Sequence, residues 1–93
     1  MSEEPDVAIA IKYDREKDNA PRVIAKGMRL RAEKLREIAK QYNIPVMRNV
    51  ALASALYKVE VGQEVPEELY DAVAEVLNFV MALKQEHEAG QKK

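Results

Sequence analysis

The first strand of the fold is predicted by VAIAIKY, residues 7–13, close to the start of the chain. Large apolar or aromatic side chains occupy every second position, with alanine or lysine between them. Because successive side chains of a strand point to opposite faces, this alternation predicts a β-strand. We expect its large apolar face to fill a core layer, and its alanine face to let a helix approach closely.

A second strand and a helix are predicted to follow. The polar run DREKDNAP, residues 14–21, predicts an exposed loop, and RVIAK, residues 22–26, predicts a strand that stops at Gly27. From residue 28 to residue 42, apolar side chains recur at helical spacing. Asn43 is suited to end this helix because asparagine tolerates a left-handed conformation.

Ile44-Pro45-Val46-Met47 predicts a third strand after the helix. A strand, a helix and a strand in this order imply a parallel pair joined by a right-handed crossover. The predicted fold class is therefore α/β, with a small mixed sheet of about three strands packed with about three helices.

The second half of the chain is predicted to be mostly helical. Asn49 can cap a short helix over residues 50–58, and residues 59–65 predict a turn around Gly62. Pro66 suits the first position of a last helix whose apolar face continues to Leu83. We expect one domain over residues 7–85, between disordered tails at residues 1–6 and 86–93.

Composition limits the class of protein. The chain has 93 residues, 47% of them hydrophobic, which predicts a single soluble domain. It contains no cysteine, so disulfides and thiolate metal sites are excluded, which fits the cytoplasm. No apolar run approaches the roughly 20 residues of a membrane helix, and no secretory signal is evident.

Charge is distributed unevenly along the chain. Residues 22–48 hold eight Lys or Arg and two acids, whereas residues 60–75 hold six acids and no base. The basic helix 28–42 offers an alternative function, a regulatory or RNA-binding protein that contacts phosphates. The chain has four tyrosines and one phenylalanine, and no aromatic platform among the basic residues, which argues against nucleic acid.

The sequence contains no convincing catalytic set. The single histidine, His87, lies in the polar end of the last helix beside Glu86 and Glu88, which does not place three metal ligands on one face. The three glycines are scattered, so no phosphate loop is predicted. We expect no enzyme activity, no metal, no cofactor and no small-molecule substrate.

Several blocks together resemble one family. APRVIAKG at residues 20–27, LREIAKQYNIPV at residues 35–46 and VGQEVPEELY at residues 61–70 resemble the cytoplasmic C-terminal domain of the FlhB and YscU proteins. These are the export-switch proteins of flagellar and type III secretion. The resemblance covers about residues 7–83 and implies a small mixed sheet wrapped by helices.

The resemblance also concerns self-cleavage. Family members cut their backbone within an Asn-Pro-Thr-His motif, whose asparagine side chain attacks its own carbonyl. The matching positions here are Glu3, Glu4, Pro5 and Asp6, so the nucleophilic amide is absent. We expect a free-standing, FlhB-like protein that does not cleave itself, with an open sheet edge that accepts a strand from a membrane-bound export protein or from a second copy.

Finally, the resemblance implies a binding site for export substrates. In the family, a small apolar patch receives the N-terminal segment of early substrates, and its matching residues here are Ala20, Pro21, Ala74 and Leu77. The competing interpretation is that Ala74 and Leu77 are ordinary core residues. The expected function is a non-catalytic interaction module, cytoplasmic or peripheral at the export apparatus, whose partners are apparatus proteins or export substrates.

Overall fold

The computed structural model describes residues 5–91, with side chains over residues 5–83. Within this range the elements are β1 (Val7–Lys12), β2 (Arg22–Met28), α1 (Leu30–Gln41), α2 (Val50–Leu56), a 3-10 turn (Glu67–Leu69) and α3 (Tyr70–Gln91). The predicted α/β class and the order of the first two strands and three helices are confirmed.

The two strands form an antiparallel hairpin. Val7 lies opposite Met28, and Lys12 lies opposite Arg22. The register shifts where Ala10 faces Ala25 while the next residue, Ile11, faces Val23, so Ile24 is the extra residue of a β-bulge. The bulge leaves Ile24 exposed on the surface and Val23 fully buried in the core.

The two faces of the hairpin pack as the alternation predicts. Ile9 and Ile11 pack against a buried cluster from β2, α2, the following turn and α3, which consists of Val23, Leu52, Leu56, Val59, Val65 and Val73. Helix α1 contacts both strands. A Cβ on Gly27 would stand 2.7 Å from the Arg31 backbone, so this position requires glycine where β2 approaches α1.

Two asparagines mark the helix ends as predicted. Asn49 accepts a hydrogen bond on its side-chain Oδ1 from the amide of Leu52, at 3.1 Å, and so caps α2. Asn43 follows α1 with a φ of 55°, in the left-handed region. The amide of Ile44 then donates to the carbonyl of Ala39 at 2.8 Å, which closes the end of α1.

The predicted third strand is wrong. Residues 44–49 form no strand, and Ile44 and Val46 are 55% and 57% exposed. An extended segment becomes a strand only when a neighbouring strand pairs with it, and no described strand pairs with residues 44–49. The sheet of this part of the chain is therefore two-stranded and antiparallel, and the parallel crossover is not formed.

The outer edge of β2 is covered by the segment 57–65. Val23 donates to the Gln63 carbonyl at 3.1 Å and accepts from the Gly62 amide at 2.7 Å. The Lys26 ammonium donates to the carbonyls of Tyr57 and Val59, at 2.9 and 3.0 Å. The predicted turn around Gly62 is present, with φ at 94°, and it also serves as an edge cover.

Helix α3 continues to Gln91, beyond the predicted end of its apolar face at Leu83. Residues 86–91 of the predicted C-terminal tail are helical, while residues 92–93 and residues 1–4 of the N-terminal tail lie outside the described residues. No helix over residues 5–91 is long and apolar enough to cross a membrane.

Candidate functional site

A small surface pocket brings together the four residues that the resemblance singles out. Its volume is about 200 Å³, and we call it the Ala20–Ala74 pocket. It is lined by Tyr13, Asn19, Ala20, Pro21, Tyr70, Ala74 and Leu77. Two segments that lie far apart in the chain thus form the two walls of one apolar depression.

One wall comes from the loop that joins β1 to β2. Ala20 is 2% exposed, and the carbonyl of Pro21 accepts from the Val65 amide at 2.8 Å, which ties the wall to the covered edge of β2. The other wall comes from α3. There Ala74 is exposed, while Leu77 is half-buried and packs against the core cluster. The core interpretation therefore fits Leu77 in part, but it does not fit Ala74.

Sequence reasoning missed three lining residues, Tyr13, Asn19 and Tyr70. Tyr13 was expected on the core face of the first strand, but it is 38% exposed at the pocket. Tyr70 could have been identified as a lining residue from the sequence. Residues four apart on a helix share a face, and Tyr70 lies four residues before Ala74. The two tyrosines add aromatic surface beside the small side chains of Ala20 and Ala74.

A second candidate site is the outer edge of β1. Within residues 5–91, no backbone hydrogen bond joins this edge to another segment. We call the outer edge of β1 the bare edge, since no described segment hydrogen-bonds to it.

Asp6 immediately precedes β1 and is held by hydrogen bonds from Arg29 and Arg36. The Arg36 guanidinium donates to both carboxylate oxygens of Asp6, at 2.9 and 2.5 Å, and the Asp6 carbonyl accepts from the Arg29 amide at 2.7 Å. The hydrogen bonds from Arg36 lower the pKa of the Asp6 carboxyl, and the charges of Arg36 and Arg48 lower it further. Among the four positions that match the cleavage motif, Pro5 and Asp6 are described, and Glu3 and Glu4 lie outside the described residues.

Two charged surfaces match the uneven sequence distribution. Arg29, Arg31, Lys34, Arg36 and Lys40 are exposed on or next to α1, where Arg36 is paired with Asp6. A wider depression of about 520 Å³ lies between α2 and the 3-10 turn, and exposed Lys58, Glu60, Gln63, Glu64 and Glu68 form much of its lining. Because these charged and polar side chains form much of its lining, it is less suited to an apolar partner than the Ala20–Ala74 pocket.

Metal-binding clusters are not found in the described part of the chain, where no three His, Asp or Glu side chains converge. The side chain of His87 lies outside the described residues. The described geometry is suited to binding a partner protein or peptide. It provides an apolar pocket and a sheet edge whose backbone groups form no hydrogen bonds with another described segment.

Comparisons with known proteins agree with this geometry. The family model described as FlhB HrpN YscU SpaS Family matches residues 5–80. The flagellar biosynthetic protein FlhB of Aquifex aeolicus is 52% identical over 80 residues, and that of Escherichia coli is 46% identical over 84 residues. These matches cover 85% and 89% of this chain but only 23% and 22% of those proteins.

Solved structures show the same fold. The cytoplasmic domain of FlhB from Shewanella putrefaciens superposes with a TM-score of 0.77 at 45% identity, covering 81% of this chain and 63% of that one. The PscU C-terminal domain gives a TM-score of 0.75 at 39% identity, covering 78% of this chain and 94% of that one. The chain therefore belongs to the FlhB, HrpN, YscU and SpaS family of flagellar and type III export-switch proteins, to whose cytoplasmic C-terminal domain it corresponds.

Proposed function

We propose that this chain is a non-catalytic interaction module of flagellar or type III protein export. It docks to export substrates through the Ala20–Ala74 pocket and to the export apparatus through the bare edge, and it is peripheral at that apparatus. The observation that carries the proposal is the convergence of residues 20–21 and 74–77 on one apolar surface pocket. The family relationship supports the choice of partner.

The pocket is suited to a short apolar peptide. Ala20 and Ala74 have small side chains, which leave space between the two walls of the pocket. A bulky apolar side chain from a partner can therefore enter there. Leu77 packs against the core as well as lining the pocket, which holds that wall in place. A volume of about 200 Å³ is sufficient for one or two side chains and too small for a large ligand.

The first test fills the pocket from its exposed wall. In Ala74→Gln, a larger polar side chain should occupy the depression and weaken binding of a short apolar peptide by about tenfold, or about 1.4 kcal/mol. The peptide would follow the N-terminal segment of an early export substrate, and binding would be measured by NMR titration.

Ala82→Gln is the matched control, since Ala82 is also exposed on α3 but does not line the pocket. It should bind the peptide as the unchanged protein does. Equal affinity of all three proteins for the peptide would contradict binding in the pocket. If Ala74→Gln loses the amide spectrum of a folded protein, Ala74→Leu replaces it as the test variant.

The bare edge is suited to an extended segment. Unshared backbone groups along an edge strand recruit another chain by adding a strand, and neighbouring apolar side chains give the added strand a surface to cover. We infer that the side chains of Ile44, Val46 and Met47, which are exposed, contribute such a surface. A strand from a membrane-bound export protein is the proposed occupant, and a second copy of this chain is the competing one.

The non-catalytic part of the proposal concerns the cleavage motif. Succinimide formation requires a side-chain amide next to the bond that breaks, and Glu3 presents a carboxylate at that position. The ion pair of Asp6 with Arg36 gives the fourth motif position a structural role at the start of β1.

The second candidate function, RNA binding through α1, is favoured by the exposed cations of that helix. Salt dependence separates the two functions. Phosphate binding by several cations weakens steeply between low and moderate salt, whereas docking of an apolar peptide changes little. A steep salt slope for RNA together with no binding of any apolar peptide would favour the alternative.

A further inference from the structure

The Ala20–Ala74 pocket is continued along α3 by one more residue. Tyr70, Ala74, Leu77 and Met81 follow one another at spacings of four, three and four residues, so they lie along one face of the helix. At a rise of about 1.5 Å per residue, this stripe is about 16 Å long. Met81 is 37% exposed, and it extends the apolar surface beyond the pocket.

Arg15 lies at the Met81 end of this stripe. Its Nη2 donates to the Met81 sulfur at 2.9 Å, although the two residues are 66 positions apart in the chain. The loop that carries Arg15 is held by its own hydrogen bonds. The amide of Asp18 donates to the Asp14 carbonyl at 2.7 Å, and the Asp14 amide donates to the Asp18 carboxylate at 2.9 Å. The guanidinium is therefore presented by an ordered turn.

The partner of Arg15 in this structure is weak. A thioether is a poor hydrogen-bond acceptor, whereas a carboxylate matches the fork of a guanidinium and accepts charge-assisted hydrogen bonds. Over residues 5–83 the ion pairs are Arg22–Glu64 and Arg36–Asp6, and neither includes Arg15. A carboxylate that reached this point would replace the sulfur as acceptor.

We propose that Arg15 is a specificity-determining residue, which selects peptides that carry an acidic side chain beside their apolar anchor. From Ala74 to Met81 the helix rises about 10 Å, which an extended peptide spans with about three residues. The preferred occupant is thus a short peptide with an apolar side chain in the pocket and an aspartate or glutamate about three residues away. This inference rests on the proposed function of the pocket.

The test compares three peptides of about eight residues, each with one phenylalanine among glycine and serine. One has an aspartate about three residues before or after the phenylalanine, one has a lysine in that place, and one has serine. The unchanged protein should bind the aspartate peptide about two- to fivefold more tightly than the serine peptide, as expected for an exposed ion pair. Arg15→Glu should reverse the order and prefer the lysine peptide.

Lys17→Glu is the matched control, because Lys17 is an exposed cation in the same loop and its replacement makes the same change in net charge. It should keep the preference for aspartate. An equal effect of Lys17→Glu and Arg15→Glu, or no difference between peptides in the unchanged protein, would overturn the role of Arg15. Absence of binding by all three peptides, including the serine peptide, would instead overturn the pocket itself.

Discussion

At the outer edge of β2, the amide and the carbonyl of Val23 both form hydrogen bonds with residues 62–63. No described segment forms such hydrogen bonds with the outer edge of β1. The two strands are similar in length and both are rich in apolar residues. Within residues 5–91, one edge of the sheet is therefore covered by the chain's own turn, and the other edge is not covered. An uncovered strand edge is typical of a surface that receives another chain.

The largest expected effect concerns the cover of β2. Val65 is 2% exposed and anchors the turn to the core, so Val65→Ala should destabilise the protein by about 2 kcal/mol. Urea unfolding would measure the loss. Val61→Ala is the control, since Val61 is 54% exposed on the same turn and should change stability by less than about 0.5 kcal/mol. Equal effects would show that the turn is not anchored by Val65.

A smaller effect is expected from Lys26, whose ammonium joins β2 to the carbonyls of Tyr57 and Val59 and lies 4.9 Å from the centre of the Tyr57 ring. Lys26→Met keeps the aliphatic stem but removes the charged donor, and should cost about 1 kcal/mol in the free energy of unfolding. Lys12→Met, at an exposed position on β1, is the control. An unchanged stability for Lys26→Met would mean that water replaces these hydrogen bonds without loss.

The bare edge can be blocked with little effect on the fold. Val46 is 57% exposed, so Val46→Lys should change stability by less than about 0.5 kcal/mol while preventing an apolar strand from docking. Light scattering over a range of concentrations and titration with an extended apolar peptide would measure self-association and strand binding. Val61→Lys places the same charge at a similarly exposed valine beside the covered edge, and should leave both unchanged.

The smallest effect concerns the ion pair at the start of β1. The pKa of Asp6 is lowered in the folded protein, so its contribution to stability is present above the unfolded value of about 3.8 and is lost as the pH falls through the folded value. Unfolding by urea between neutral pH and about pH 2 should show a slightly weaker acid dependence for Asp6→Asn than for the unchanged protein. Identical pH profiles would show that the pair adds nothing to stability.

Local patterns in the sequence predicted the local structure well. The alternation in residues 7–13 indicated β1 and its core face, and Asn43 and Asn49 indicated the ends of two helices. These features depend on near neighbours in the chain, which the sequence displays directly. The same reasoning was wrong for residues 44–47, because β-branched residues favour extended backbone without supplying the second strand that a sheet requires.

The pocket was predictable from the sequence only in part. Its four expected residues came from the family resemblance, and the structure places them together. The place of Tyr13 at the pocket and the contact of Arg15 with Met81 depend on how the loop 13–21 lies against α3, which no spacing in the sequence reveals.

Side-chain periodicity and short motifs were sufficient to predict the two hairpin strands, the three helices, two of the helix ends and the family. Which sheet edge is covered and which loop meets which helix face became visible only in the folded chain. The physical reason is that hydrogen bonding across a sheet edge and packing across a pocket join residues 40 to 66 positions apart, such as Val23 with Gln63 and Arg15 with Met81.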